Sequence, residues 1–182
     1  SFGLTNVSRQ LTQTMLHTHP FYNSSESSQR YVKLDEVKSL VPPIEGEARV
    51  LFEDTVEEAW GVYNKLSTIL LKKIIEIETE RGIHIDDKKI KSLEKKAIEI
   101  ARYAIPLSAL TSMIHTINGI TLYRMYRLMN QYPTGWEARK VILGMVEEVK
   151  KVDPDFFKHI DDPIPLKETL EYIKKNSNKK PI

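Results

Sequence analysis

One long helical pattern constrains the fold of this chain more than any other sequence feature. Between Pro43 and Gly82, apolar side chains recur at steps of one, three or four residues from Glu47 to Arg81. That spacing places them on one face of an α-helix. Proline ends regular structure before the pattern begins, and glycine favours a helix end behind it. We interpret the stripe as a core-facing surface formed by Leu51, Phe52, Val56, Ala59, Val62, Tyr63, Leu66, Ile69, Leu70, Ile74 and Ile77.

Other segments predict further, shorter helices. Thr134 and Glu137 form a capping-box pattern, in which each side chain satisfies a backbone donor near the other, and the helix that it opens runs to Val152. Thr5 or Asn6 can cap a helix that starts near them. The predicted helices are Thr5 to about Leu16, Asp86 to Tyr103, Asn118 to about Met129, and the capped helix ending at Val152.

Only two segments favour an extended backbone. Leu107 to Ile117 mixes β-branched and apolar residues, and Arg30 to Leu34 reads as a short extended piece. Phe21 to Ser28 is dense in Asn and Ser, which predicts a polar loop. The chain is therefore expected to be mainly helical, and its 182 residues suggest a single domain.

Composition excludes several classes of function. Lys and Arg number 27 against 25 Asp and Glu, so the net charge is +2, and binding to nucleic acid is not expected. The absence of cysteine excludes disulfides, thiol catalysis and cysteine-based zinc sites. No apolar run approaches the roughly 20 residues that span a membrane, and the default location is the cytoplasm. Abundant Lys, Glu and Ile favour a thermophilic source.

Arginines in unusual surroundings are the remaining chemical signal. No phosphate-binding glycine loop, nucleophile elbow or zinc-protease motif is present, and His17 and His19 lack a third ligand, so no metal site is predicted. An arginine among apolar residues needs an anionic partner. That partner is either internal, such as Glu99 for Arg102 at i, i+3, or a bound phosphate or carboxylate. The arginines concerned are Arg30, Arg102, Arg124 and Arg127.

Two sequence stretches together resemble flavin-dependent thymidylate synthases. The first is Ser27 to Lys33, followed by Asp35-Glu36 and Pro42-Pro43, which resembles the family's substrate loop. The second is Glu99 to Arg139, with a Glu-x-x-Arg-x-x-x-Pro segment, a strand, an Asn and two helices. The resemblance covers about Val7 to Phe157. It implies an α+β, mainly helical fold with a small antiparallel sheet flanked by long helices.

The resemblance also divides the chain and assigns a reaction. It implies a signature helix and substrate loop over residues 1–46, a long helical hairpin over 47–105, a strand and helices over 106–160, and a peripheral tail over 161–182. The family converts dUMP to dTMP with methylenetetrahydrofolate, while FAD carries the hydride that NADPH supplies. Members are usually homotetramers whose sites lie between subunits. They carry further residues before the signature helix, so a missing N-terminal part is expected.

Site residues follow from the same resemblance. Glu26, Ser28, Arg30 and Arg102 would bind dUMP or another phosphate ligand. His19 and Asn118 would contact FAD. No catalytic residue is assigned, because the flavin does the hydride chemistry and the protein orients the reacting ring.

The signature motif itself departs from the family. Its two arginines fall either on Thr18 and Pro20 or on His17 and His19, depending on the register, and an ungapped match places Met129 where a third arginine is usual. Charge-assisted bonds contribute about 1.5–3 kcal/mol each, so their loss is expected to impair or abolish turnover by the isolated chain.

Two hypotheses therefore remain open. The chain is an enzyme, with a partner chain supplying missing groups, or a non-catalytic paralogue that acts as a subunit or nucleotide-binding module. A dimer or tetramer is expected in either case. Besides the resemblance, this expectation rests on an apparent excess of aromatic side chains, namely Trp60, Tyr63, Tyr123 and Tyr126.

Overall fold

A computed structural model describes residues 1–16, 22–27, 38–131 and 135–168 of the chain. In chain order the elements are β1 (Phe2–Ser8), α1 (Arg9–Leu16), β2 (Tyr22–Glu26), α2 (Gly46–Glu80), α3 (Asp87–Ala101), β3 (Leu110–Ile117), α4 (Gly119–Arg127) and α5 (Gly135–Val152). Short 3₁₀ turns cover Arg102–Ala104, Met129–Gln131 and Leu166–Glu168. The fold is thus mainly helical with a small antiparallel sheet, as predicted.

The chain divides into two compact units. The first combines Ser1–Glu26 with Ser112–Ile182, and the second is the intervening Ser27–Thr111. The first unit is therefore built from two chain segments that are distant in sequence. The expectation of a single domain stays a prediction.

The sheet corrects two expectations about the N-terminal segment. Its order is β1-β3-β2, and β2 pairs antiparallel with β3, with Ser24 opposite His115. The predicted helix from Thr5 is wrong in its first part, because β1 occupies those positions and α1 begins only at Arg9. The predicted polar loop is wrong over β2, because pairing with β3 makes a strand of a segment in which only Tyr22 has a high intrinsic strand preference.

The helix cap at this strand-to-helix junction is Ser8, not Thr5 or Asn6. The backbone N–H of Leu11 donates to Ser8 Oγ at 3.0 Å, which satisfies one of the free donors at the start of α1. Asn6 instead lies within β1 with φ of 56°, in the left-handed region that Asn tolerates better than most residues.

The core of the first unit lies between β1, α1, α4 and α5. Ala138 and Ile142 of α5 are fully buried at its centre. The surrounding buried residues are Val7, Leu11, Leu122, Met125, Met129, Met145 and Val146. Tyr123 and Tyr126 pack at the edge of this core against Phe156 and Phe157.

The second unit is built on the predicted long helix, which is confirmed. The interpretation of its whole apolar stripe as core-facing is wrong, because Leu51, Val62, Leu66 and Ile69 are exposed. With 35 residues, α2 is about 52 Å long at 1.5 Å per residue. It packs antiparallel to α3 as a helical hairpin, and Asp86 caps α3 by accepting from the Lys89 N–H at 2.7 Å. Trp60 and Tyr63 lie edge to face and bury almost completely in a core with Val56, Ala101 and Ala109.

The remaining sequence predictions agree with the structure within a few residues. The predicted strand from Leu107 starts at Leu110, and the helices predicted from Asp86 and Asn118 end in 3₁₀ turns rather than continuing as α-helix. The extended piece predicted over Arg30 to Leu34 lies outside the described residues. Within the described part of the chain, no helix combines the length and apolarity needed to cross a bilayer.

Candidate functional site

A polar face of the sheet in the first unit carries the strongest candidate residues. Along β2 the side chains alternate, so Asn23 and Ser25 are exposed while Ser24 and Glu26 are partly buried on the opposite face. That second face is covered by α1. Polar groups on a covered face need partners, and the structure supplies them.

Glu26, predicted to bind substrate, is held by α1. Its Oε1 lies 3.0 Å from Arg9 Nη1, and both side chains are about four-fifths buried. The hydroxyl of Thr12 lies 3.4 Å from the same oxygen and also donates to the Arg9 carbonyl at 3.0 Å. We call Arg9, Thr12 and Glu26 the Glu26 cluster. Sequence reasoning missed Arg9 and Thr12, because these residues meet Glu26 only when α1 packs onto β2.

His115, on the central strand, is a second polar group that sequence reasoning missed. The side chain is fully buried, and its Nδ1 lies 2.7 Å from Ser24 Oγ, so the two register partners share a hydrogen bond. Alternation along β3 was the signal available, since every second residue from Thr111 faces the covered side. The pair fixes the orientation of Ser24, two residues before Glu26.

Glu137 has a role that its capping-box pattern did not predict. Its carboxylate accepts from the backbone N–H of Ser8 at 2.7 Å and from the Ser8 hydroxyl at 2.5 Å. Both residues are buried. Thr134, the other half of the predicted box, lies outside the described residues. Glu137 therefore ties the start of α1, and with it the Glu26 cluster, to α5.

Asn118, predicted to contact flavin, is the N-cap of α4. Its Oδ1 accepts from the Thr121 N–H at 2.8 Å, so the side chain is oriented by the helix that follows. The side chain is exposed, and its amide nitrogen retains two donors. This geometry fits one hydrogen bond to an acceptor atom of a flavin.

Arg102 belongs to the second unit. Its Nε donates to the backbone carbonyl of Glu99 at 3.1 Å, and its guanidinium lies 5.4 Å from the centre of the Tyr103 ring. The contact that the structure shows between Arg102 and Glu99 is thus made to the backbone carbonyl of Glu99.

The other predicted site residues, His19, Ser28 and Arg30, lie outside the described residues. The expectation that Arg30 and Arg102 bind the same ligand accordingly stays a prediction. Among the described residues, no group of three or more histidines and carboxylates has the geometry of a metal site.

Three residues in or just after α4 lie at or near the position where the family usually carries a third arginine, which Met129 occupies in the ungapped match. Met129 is 7 % exposed and belongs to the apolar core. Arg127 donates to the Asp162 carbonyl and lies 3.6 Å from the Asp161 carboxylate, so its guanidinium is used by the chain that follows α5. Arg124 is exposed on α4.

Comparison with known proteins gives a consistent family assignment. The model of the family described as thymidylate synthase complementing protein matches residues 1–155. The chain is 35 % identical over 162 residues to a flavin-dependent thymidylate synthase of Clostridium tetani, which covers 87 % of this chain and 61 % of that protein.

Two further relatives extend the comparison. The flavin-dependent thymidylate synthase of Sulfurisphaera tokodaii is 27 % identical, and the match covers 94 % of this chain and 62 % of that protein. That of Saccharolobus solfataricus is 28 % identical, and the match covers 87 % of this chain and 52 % of that protein. The chain thus spans between half and two thirds of these relatives. The sequence motifs, the fold and the extent of the family match together show that this chain belongs to the thymidylate synthase complementing protein family, whose members include the flavin-dependent thymidylate synthases.

Proposed function

We propose that this chain is a flavin-dependent thymidylate synthase-like protein that binds dUMP, with turnover impaired or absent in the isolated chain. The observation that carries the proposal is the Glu26 cluster, which presents a predicted substrate-loop carboxylate in a fixed orientation. Ser28, Arg30 and Arg102 would add a hydroxyl and two guanidinium groups, and such groups suit a phosphate.

The cofactor is proposed to be FAD, with NADPH and methylenetetrahydrofolate as co-substrates. When bound, the flavin would supply the hydride chemistry of the family reaction. The chain's own contribution is binding and orientation: Asn118 would donate its amide N–H to the flavin, and His19 is proposed to contact it too. Glu26 and the nucleotide-binding arginines would hold the uracil nucleotide in place.

Impaired turnover is proposed because cations are missing where charge develops. Activating the uracil ring places negative charge on its carbonyl oxygens, and preorganised cations that meet such charge are usually the largest catalytic contribution. Met129 lies in the apolar core, and Arg127 is engaged by Asp161 and Asp162. These contacts support the alternative of a non-catalytic subunit or nucleotide-binding module, unless a partner chain supplies the missing groups.

Homo-oligomerisation is also proposed, but it rests on exposed apolar side chains of α2 instead of the four aromatic residues that predicted it from the sequence. Trp60, Tyr63, Tyr123 and Tyr126 are accounted for by contacts within their own units. The second unit instead exposes apolar side chains along α2, and Val62, Leu66 and Ile69 follow the i, i+4, i+7 spacing of one stripe. We expect light scattering to show a dimer or tetramer. The variant Leu66→Lys should dissociate it, because the charge falls within the apolar stripe, whereas the exposed control Asn64→Lys should leave the oligomer intact. The cytoplasmic location and thermophilic source stay predictions.

A binding assay and a turnover assay together test the proposal. Calorimetric titration with dUMP should give saturable binding that Glu26→Gln weakens and the exposed control Glu53→Gln leaves unchanged. Tritium release from 5-tritiated dUMP, with FAD, NADPH and methylenetetrahydrofolate, should be far below that of a full-length relative run alongside. Absence of dUMP binding would refute the nucleotide function, and turnover matching the relative would refute the impairment. Flavin absorbance of the purified protein at a stoichiometric level would favour the enzyme over the non-catalytic module.

A further inference from the structure

The ion pair of the Glu26 cluster is more enclosed than an ordinary surface pair. Arg9 begins α1 and Glu26 ends β2, so the pair joins two elements rather than two turns of one helix. Arg9 Nη1 is inaccessible to solvent, and its 3.0 Å approach to Glu26 Oε1 lacks the angle of a good hydrogen bond. The attraction is therefore mainly between the two charges, and partial burial reduces its screening by water.

The two oxygens of Glu26 are used unequally. Oε1 contacts both Arg9 and Thr12, whereas Oε2 has no hydrogen bond or ion pair within the described part of the chain. A carboxylate fixed through one oxygen presents the other in a defined direction as a pure acceptor. The ligand atom that suits it is an N–H or O–H donor, such as the imide of a uracil ring or a sugar hydroxyl.

A carboxylate in a nucleotide site also has an electrostatic cost. Phosphate carries close to two negative charges at neutral pH, and an uncompensated carboxylate nearby repels it. Arg9 supplies a positive charge in contact with that carboxylate. It can offset the repulsion without touching the phosphate itself.

From this geometry we infer that Arg9 is a positioning residue for dUMP binding. It orients Glu26 and neutralises its charge, so that the carboxylate accepts from the nucleotide without repelling the phosphate. The inference rests on the proposed function, in which Glu26 contacts the nucleotide. It goes beyond that function by assigning a role to a residue of the first helix.

A double-mutant cycle tests whether Arg9 acts through Glu26. The dissociation constants of dUMP and of deoxyuridine, which lacks the phosphate, are measured by calorimetry for wild type, Arg9→Gln, Glu26→Gln and the double variant. Arg9→Gln should weaken dUMP binding by about tenfold, the typical effect of a charge-assisted contact. The loss for deoxyuridine should be smaller, because there is no phosphate to repel.

Further variants separate positioning from folding. Arg9→Lys retains the charge and should recover part of the affinity for dUMP, and it remains informative if Arg9→Gln does not fold. Arg49→Gln breaks the exposed ion pair with Glu53 and should leave the affinity unchanged. Circular dichroism melts show which variants are folded at the titration temperature.

Each outcome decides a stated question. If the double variant binds dUMP as Glu26→Gln does, Arg9 acts through Glu26 and the inference stands. If the two losses simply add, or if Arg9→Gln binds like wild type, the inference is wrong while the proposed function survives. If wild type binds no dUMP, the proposed function fails and the inference fails with it.

Discussion

The contact between Ser8 and Glu137 gives the sharpest stability prediction, through the change Ser8→Ala. The substitution removes only a hydroxyl group, because the backbone N–H of residue 8 remains to donate to Glu137 Oε1 at 2.7 Å. The lost hydroxyl donates to Glu137 Oε2 at 2.5 Å and accepts from the Leu11 N–H at 3.0 Å. One change therefore removes the cap of α1 and leaves a buried carboxylate oxygen without its donor.

The expected cost follows from those two contacts. Loss of a serine N-cap costs about 1 kcal/mol. Loss of a hydrogen bond to a charged group costs about 1.5–3 kcal/mol, and burial of Glu137, which is 5 % exposed, favours the upper part of that range. Since contacts of one residue are not strictly additive, we expect Ser8→Ala to lower the free energy of unfolding by about 3 kcal/mol.

The assay is urea unfolding, monitored by far-UV circular dichroism and by tryptophan fluorescence. Trp136 is the fluorescent probe because it lies beside Glu137 in the sequence, and Trp60→Phe removes the other tryptophan. Ser67→Ala is the matched control, because that serine is also buried but donates only to the Tyr63 carbonyl within its own helix. Alanine's helix preference offsets that loss, so the control should change stability by less than about 0.5 kcal/mol. The reasoning is refuted if both variants lose equally, or if Ser8→Ala and Glu137→Gln show no coupling in a double-mutant cycle.

Three further predictions concern other parts of the chain. The hydrogen bond from Lys89 holds the pKa of the Glu78 carboxyl below its usual 4.5. The ionised carboxylate therefore adds to the free energy of unfolding above pH 4.5, and this contribution is lost as the pH falls and the group is protonated. Urea unfolding should therefore show wild type losing more stability than Glu78→Gln between about pH 5 and 3, and parallel curves would contradict this. Gly119→Ala brings a methyl group 2.5 Å from Phe156 Cζ and should cost about 1–3 kcal/mol by overpacking, measured in the same assay; an unchanged midpoint would show that the ring moves freely. Asn118→Ala should cost about 1 kcal/mol through loss of the α4 cap while Asn118→Asp does not, and equal melting temperatures for the two would argue against the cap.

The helices were predictable because their apolar stripes repeat over many turns. The stripe from Glu47 to Arg81 fixed α2 to within a residue at either end, since Gly82 ends it and the paired prolines precede it. The pattern placed Tyr63 in the core-facing stripe but did not include Trp60, which is buried as well. Local signals of this kind need no knowledge of the rest of the chain.

The short strands were not predictable in the same way. β2 has no β-branched residue, and it is a strand only because β3, more than eighty residues later, pairs with it. The Glu26 cluster shares that difficulty, because Arg9 and Glu26 meet only when α1 folds onto the sheet. Glu26 itself was recognised from the motif around it, whereas Arg9 and Thr12 carry no local signature and His115 is marked only by the alternation along β3.

The two-segment construction of the first unit has a consequence for how the chain folds. Ser24 and His115 are 91 residues apart, and bringing such positions together from an open chain costs about 4 kcal/mol in loop-closure entropy. The contacts of the intervening helical hairpin, such as those that bring Trp60 and Ala101 into one core, join positions closer in sequence than Ser24 and His115 are. The hairpin can therefore form early and shorten the open loop before the sheet closes. We expect the inserted hairpin to form first, and the strands that carry Glu26 and His115 to form last. Substitutions in the sheet should therefore mainly speed unfolding, and substitutions that weaken the hairpin should slow folding.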